Sequence, residues 1–406
     1  MTLDDAPPPD PAQPCIYCAG RRRDPTWSRE HIWPQSLGGG VGPAQFATRQ
    51  VCRTCNSLCG LWVDGGFTKN FFAHNEAHRA AEEFVDPDRP GPMPLIYMGI
   101  DTEFECAPDE ICERWTGPAG EHVYHLHARD EPKWDAYSGG DVIRRKRSDP
   151  GRVYVYLTSV QPYWVFTTFH SVAARFPDAR RRCLTQLDGP SLAPVILGPE
   201  EGEISETEAR EIAFLRARTI GPRNMSFSLR LEATDRFMAK LALGFGHTLL
   251  GPKVSASPYA QDLRRVLWRR ADDPEDPPVR VRGNTGYQGQ VDGAVSRLLG
   301  FEGAWTLTFT SSVEGFALGV VSPGLRFMSI VISEDSDLWA PGVGEHYAQG
   351  QAYVFVPARE MVVGPMPLLD LVGHRTGASP HPDLVRLEAL KRYAARRPAK
   401  HPPPPI

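Results

Sequence analysis

Apolar and polar positions along this chain change rhythm several times, and each change marks an element. From Asn56 to Val63 the apolar positions fall at helical spacing, with Gly65-Gly66 as the expected stop. Phe71, Phe72, Ala73, Ala77, Ala80, Ala81 and Phe84 mark a second amphipathic helix over Thr68–Phe84, closed by Asp86-Pro87 and Pro90-Gly91-Pro92. Residues 93–200 read mostly as strands: Leu95–Met98, Val123–Leu126, Val153–Leu157 and Trp164–Phe169 are short, rich in β-branched or aromatic residues, and bounded by Gly, Pro and Asp. Helical signals return at Ser205-Glu206-Thr207-Glu208, a capping box ahead of Ile212, Phe214 and Leu215. Thr234–Leu250 is apolar on nearly every side and ends at Gly251-Pro252, so it reads as a buried helix. Over Tyr259–Arg270, Leu263, Val266 and Leu267 form an inner face, with Arg264, Arg265, Arg269 and Arg270 expected outside. Strands resume at Trp305–Thr310, Phe316–Val321 and Phe327–Ile332, and a last helix is expected from about Asp383 to Ala395.

This order of elements predicts an α+β protein with no internal repeat. The expected organisation is a proline-rich leader at 1–12, a first module at 13–88, a strand-rich α+β region at 89–230, an α+β region at 231–396 and a proline-rich tail at 397–406. A hydrophobic share of 41% over 406 residues excludes disorder as the general state. The acidic start lacks a signal-peptide pattern, and no segment approaches the roughly 18 apolar residues of a membrane span. With too few cysteines for a disulfide scaffold, a cytoplasmic location is expected.

The formal net charge of −4 is not that of a nucleic-acid binder, but it averages over regions with different tasks. In the first sixty residues Arg21, Arg22, Arg23, Arg29, Arg49 and Arg53 face few acids outside the leader. Two further runs, Arg144–Arg147 and Arg180–Arg182, could extend a phosphate-contacting surface.

The most specific chemistry is two C-x2-C pairs, Cys15/Cys18 and Cys52/Cys55. Four thiolates at this spacing make a closed tetrahedral site for a structural zinc ion, with no open position for water, so these cysteines are scaffold. The long segment between the pairs (residues 19–51) carries Glu30-His31, and Asn56 follows the last thiol. Other candidates read as structural. His74 and His78 are four apart, but the glutamate between them is one place late for a zinc protease motif. His125 and His127 share one strand face and read as surface histidines. Cys59 reads as a small apolar residue, and His247 as a satisfied core residue.

The sequence Cys-x2-Cys, then Glu30-His31-Ile32-x-Pro34-x-Ser36-Leu37-Gly38-Gly39, then Cys-x2-Cys-Asn56 resembles the zinc-stabilised HNH endonucleases over about residues 15–66. That resemblance implies a ββα-metal core followed here by a larger mixed α+β region. It makes His31 the general base and Glu30 and Asn56 the holders of one catalytic Mg²⁺ or Mn²⁺, with 5′-phosphate and 3′-hydroxyl products. Arg22, Arg23, Arg29 and Arg53 are then the expected nucleic-acid contacts, with DNA favoured over RNA, and defence against foreign DNA is one setting for such an enzyme. The remaining residues are expected to position substrate, sense a trigger or mediate homo-oligomeric assembly. The different-class alternative is a zinc-supported module that binds nucleic acid or protein without cutting it. The chain departs from the family at the asparagine that commonly braces the histidine loop: Phe46–Val51 contains none, leaving Gln45 or Gln50 as substitutes.

Overall fold

A computed structural model describes residues 8–20, 26–68, 70–128, 151–158, 161–185, 205–217, 224–226, 232–269, 282–284 and 293–400. The described residues group into two units, one from 8–80 and 232–390, the other from 81–128, 151–226 and 391–400. The protein is α+β throughout.

The first unit begins with a hairpin and a helix. Strand β1 (Trp27–His31) pairs antiparallel with β2 (Ala47–Cys52), with Trp27 opposite Cys52, Glu30 opposite Thr48, and a bulge between Ser28 and Glu30. Helix α1 (Arg53–Leu58) starts directly after β2, continues as a π segment (Cys59–Asp64) and runs on into α2 (Gly65–Thr68). Gly65-Gly66 therefore does not stop the helix. Two helical glycines cost about 1 kcal/mol each against alanine, a penalty that packing overrides here: both are buried, and the next residue, Phe67, stacks on Phe237 at 3.9 Å. Helix α3 (Phe71–Phe84) follows, close to its expected bounds.

In the second unit, β3 (Ile96–Asp101), β4 (Glu110–Thr116), β5 (His122–Ala128) and β6 (Arg152–Leu157) run antiparallel in order. Helix α4 (Pro162–Arg175) then crosses over to β7 (Arg180–Thr185), which lies parallel to β6. The expected strand Trp164–Phe169 is thus part of a helix. Its aromatic and β-branched residues favour a strand locally, but Pro162 opens the first turn, and Trp164, Val165, Phe169 and Val172 keep helical spacing on one buried face. The capping box is present: Glu208 N–H donates to Ser205 Oγ at 3.2 Å and Ser205 N–H to Glu208 Oε2 at 3.1 Å, opening α5 (Glu206–Ala217). A short β8 (Met225–Ser226) completes the sheet order β7-β6-β5-β4-β3-β8.

The chain then returns to the first unit. Helix α6 (Glu232–Phe245) is buried along its length and ends through a π segment at Gly251. Helix α7 (Pro258–Trp268) follows, capped by Ser257 Oγ accepting from Ala260 N–H. Strands β9 (Gly283–Asn284), β10 (Trp305–Ser312), β11 (Gly315–Val321), β12 (Phe327–Ser333), β13 (Gln351–Val356) and β14 (Met361–Pro367) form an antiparallel sheet in the order β14-β13-β10-β11-β12-β9. The hairpin connection packs into the core of this sheet and α6. Trp33 meets Phe237, Trp305 and Phe355 at 5.8–6.0 Å, and Phe46 meets Phe245, Phe309, Tyr353 and Phe355 at 4.8–5.9 Å. The fully buried rings supply the large apolar areas that dominate such a core.

Candidate active site and metal centres

The hairpin closes on the cysteines. Cys15, Cys18, Cys52 and Cys55 are buried, and their sulfurs lie within 4.8 Å of one another. The Cys52 N–H donates to Cys15 Sγ at 3.4 Å, and Ile16 N–H donates to Gln50 O, tying the first knuckle to β2. Hydrogen bonding to Cys18, together with burial, pushes the Cys15 thiol up to about 12. Four buried sulfurs so crowded cannot all ionise without a cation among them, and the donor set fits a structural zinc ion. Cys59, also buried, lies outside this cluster.

Side chains alternate along a strand, so Glu30 and His31 face opposite ways at the end of β1. Glu30 turns inward and is 2% exposed, whereas His31 is half-buried. The inner carboxylate meets Tyr17 Oη, which donates to Glu30 Oε1 at 3.1 Å, and Lys240 Nζ at 2.8 Å from the same oxygen. Asn56, one turn into α1, reaches back to β1: its Nδ2 donates to Arg29 O at 2.6 Å and Ser28 Oγ at 3.0 Å. Those two bonds fix the amide against β1 through Nδ2. The structure therefore brings Asn56 to the strand that carries Glu30 and His31.

His31 Nε2 lies 3.0 Å from the Gln35 amide nitrogen. A neutral ring with its proton on Nδ1 would accept from that amide at Nε2. Burial, and then the charge of Arg29, lower the pKa of His31 from its ordinary value, while Glu30 and the backbone at Gly39 act in the opposite sense. A neutral imidazole at the edge of a closed loop is suited to take a proton.

Lys240, on α6, was not expected from the sequence. Its ammonium is fully buried and contacts Glu30, Asp64 Oδ1 at 2.9 Å and Oδ2 at 2.8 Å, His31 O at 3.1 Å and Ile32 O at 3.2 Å. Burial alone would lower its pKa, but the carboxylates of Asp64 and Glu30 more than reverse this and hold it above the ordinary lysine value. With two acids sharing one cation, burial pushes Asp64 up to about 7. Lys240 holds the carbonyls of the histidine loop, the position a bracing asparagine would serve. Neither glutamine does: Gln45 donates to Tyr353 Oη at 3.1 Å, and Gln50 to Asp10 O and Gln13 O at 3.0 and 2.8 Å. The sequence signal was a lone lysine in the otherwise apolar stretch Phe237–Phe245.

Arg264, expected on the outer face of α7, is also buried, donating to Ile16 O at 2.8 Å and Ser255 O at 2.6 Å and so clamping the first zinc knuckle. Of the expected nucleic-acid contacts, Arg53 is exposed and Arg29 half-buried, while Arg22 and Arg23 lie outside the described residues, as do Arg144–Arg147. Arg180 pairs with Glu208 at 3.3 Å. His247 is satisfied by Ser255 Oγ at 3.3 Å, and His78 is buried. His125 and His127, expected at the surface, are each 1% exposed and meet Glu113. Among the described residues no helix is long and apolar enough to cross a membrane.

Residues 15–72 match the family model described as HNH endonuclease, a segment that spans the four thiols, Glu30, His31 and Asn56. No curated protein and no solved structure matches the chain.

Proposed function

We propose that residues 15–72, the segment matched to HNH endonucleases, hydrolyse phosphodiester bonds in nucleic acid, with DNA as the substrate in preference to RNA. The reading rests on one arrangement above all: Asn56 fastened by two hydrogen bonds to β1, the strand that carries Glu30 and His31.

By the resemblance, Glu30 and Asn56 would hold one Mg²⁺ or Mn²⁺, ions that favour oxygen ligands, with Glu30 Oε1 already engaged by Lys240 and Tyr17. When bound, the ion supplies charge neutralisation at the scissile phosphate and at the departing 3′ oxygen. His31 takes the proton of a water as its oxygen attacks phosphorus. The P–O3′ bond breaks, the 3′ oxygen takes up a proton from solvent water, and the products are a 5′ phosphate and a 3′ hydroxyl. The Gln35 amide now on Nε2 is exposed and yields its place to that water. Lys240 and Tyr17 orient Glu30 from inside, and Arg29 and Arg53 supply positive charge for the backbone of the substrate. Unoxidised, zinc-binding thiols suit a reducing compartment, so we place the enzyme in the cytoplasm, where defence against foreign DNA would be one use for it.

The test is cleavage of supercoiled plasmid with added Mg²⁺ or Mn²⁺. His31→Ala is expected to lower the rate by about 10²–10⁴-fold, the span of general-base catalysis, with zinc content and unfolding midpoint unchanged. Equal rates in both proteins would remove His31 as the base. Band shifts without cleavage would replace hydrolysis with binding, and faster cutting of an RNA strand would reverse the substrate preference.

A further inference from the structure

Glu113, His125 and His127 converge in the second unit, far along the chain from the matched segment. Glu113 lies on β4 and both histidines on β5, where positions i and i+2 share a face. The register sets Glu113 directly opposite His125, so the carboxylate reaches both rings. Its Oε2 is 3.4 Å from His125 Nδ1 and its Oε1 is 3.2 Å from His127 Nε2.

The orientation of His127 bears on what this cluster can bind. His127 Nδ1 lies 2.7 Å from Ala128 O, a spacing that requires an N–H there. With Nδ1 held by that carbonyl, Nε2 is the ring nitrogen aimed at Glu113, and through it the ring would reach a cation bound beside the carboxylate. An N–H held by a backbone carbonyl on the far side of the ring is also how metal-ligating histidines are oriented.

The spacing fits. Two ligands on a tetrahedral ion with bonds of about 2.0–2.1 Å stand roughly 3.3 Å apart, and each ring nitrogen is near that distance from one oxygen of Glu113, His127 Nε2 at 3.2 Å from Oε1 and His125 Nδ1 at 3.4 Å from Oε2. The neighbourhood is shaped around the cluster. Phe176 lies over His125 with ring centroids 4.6 Å apart, and Trp115 Nε1–H donates to Glu113 Oε2 at 3.3 Å. Gly151, at φ +82°, leaves space that a Cβ would take: such an atom would stand 3.0 Å from His127 Cβ and 3.1 Å from His125 Nε2.

We propose that Glu113, His125 and His127 bind a second divalent transition-metal ion, zinc by preference, separate from the thiolate site. Two imidazoles and a carboxylate select first-row transition ions over Mg²⁺ or Ca²⁺. With the three side chains 1–3% exposed, the ion sits out of bulk solvent and fastens β4 to β5.

The experiment is elemental analysis of the full chain after dialysis against zinc, with a Co²⁺ titration of protein whose thiolate site is already filled. Wild type is expected to hold about two zinc ions per chain and to take up Co²⁺ with weak d–d bands and no thiolate charge-transfer band. Glu113→Gln and His127→Ala are each expected to lose about one equivalent while keeping the thiolate zinc, whose retention, together with an unchanged circular dichroism spectrum, reports that the variants fold. Cys15→Ser with Cys52→Ser is expected to lose the other equivalent. A wild-type chain holding one zinc and taking up no Co²⁺ overturns the proposal and leaves the triad as a buried His–Glu ion pair. A second equivalent that persists in both Glu113→Gln and His127→Ala also overturns it.

Discussion

Lys240→Met removes the cation at the centre of the inner site while nearly preserving side-chain length. Three N–H groups serve five acceptor atoms, one on Glu30, two on Asp64 and the carbonyls of His31 and Ile32, all within 3.2 Å. Without the ammonium, the buried carboxylate of Glu30 and the largely covered one of Asp64 lose the cation they share. Removing one partner of a buried ion pair costs about 3–5 kcal/mol. The two carbonyls lose a charged donor as well, so we expect a loss of about 4 kcal/mol. That is roughly three orders of magnitude in the folding equilibrium and a large part of the 5–15 kcal/mol typical of a domain. Urea unfolding at neutral pH with zinc present measures it, through a lower midpoint at unchanged slope. Adding Asp64→Asn to Lys240→Met removes one orphaned charge and is expected to recover part of the loss, a coupling that a double-mutant cycle reads directly. A loss below about 1 kcal/mol, or a double variant weaker than the sum of the singles, would refute the argument that the ammonium holds these acids together.

Other perturbations probe neighbouring parts. Arg264→Leu deprives Ile16 O and Ser255 O of a charged donor and is expected to cost about 2–4 kcal/mol, with faster zinc transfer to a chelator followed colorimetrically. Gly39→Ala would place a Cβ 1.8 Å from Trp33 O, so a loss of about 3 kcal/mol or more is expected in thermal unfolding, with the plasmid activity falling alongside. Stripping the thiolate zinc withdraws on the order of 10–16 kcal/mol of apparent binding energy, and the near-UV signal of buried Trp33 is expected to collapse on chelation and return with Zn²⁺.

Features written in contiguous residues were legible in the sequence: the two thiol pairs, the capping box at Ser205–Glu208, and the strands that became β10, β11 and β12. What failed to show depended on partners distant in sequence. The six residues Trp164–Phe169 look like a strand until Pro162 and Val172 are weighed with them. Arg264 has the amphipathic position of a surface residue, and only the arrival of Ile16 O makes it internal. Lys240 is separated from Asp64 by 176 residues. Alternation along β5 put His125 and His127 on one face, but nothing local says that Phe176 covers that face. Within the candidate site, Glu30, His31 and Asn56 were singled out through the family resemblance, whereas no local signal tied the buried Lys240 to them.

The sharing of one core between the hairpin connection and β13 has a bearing on biosynthesis. Trp33 and Phe46 both rest on Phe355, which leaves the ribosome more than three hundred residues after them. At roughly 5–20 residues per second, that interval is on the order of 15–65 s. During translation the histidine loop lacks first Lys240 beneath it and then the aromatic wall behind it. The segment of residues 15–72 therefore gains its complete support only when the chain is nearly finished, and the activity proposed for it would appear no earlier.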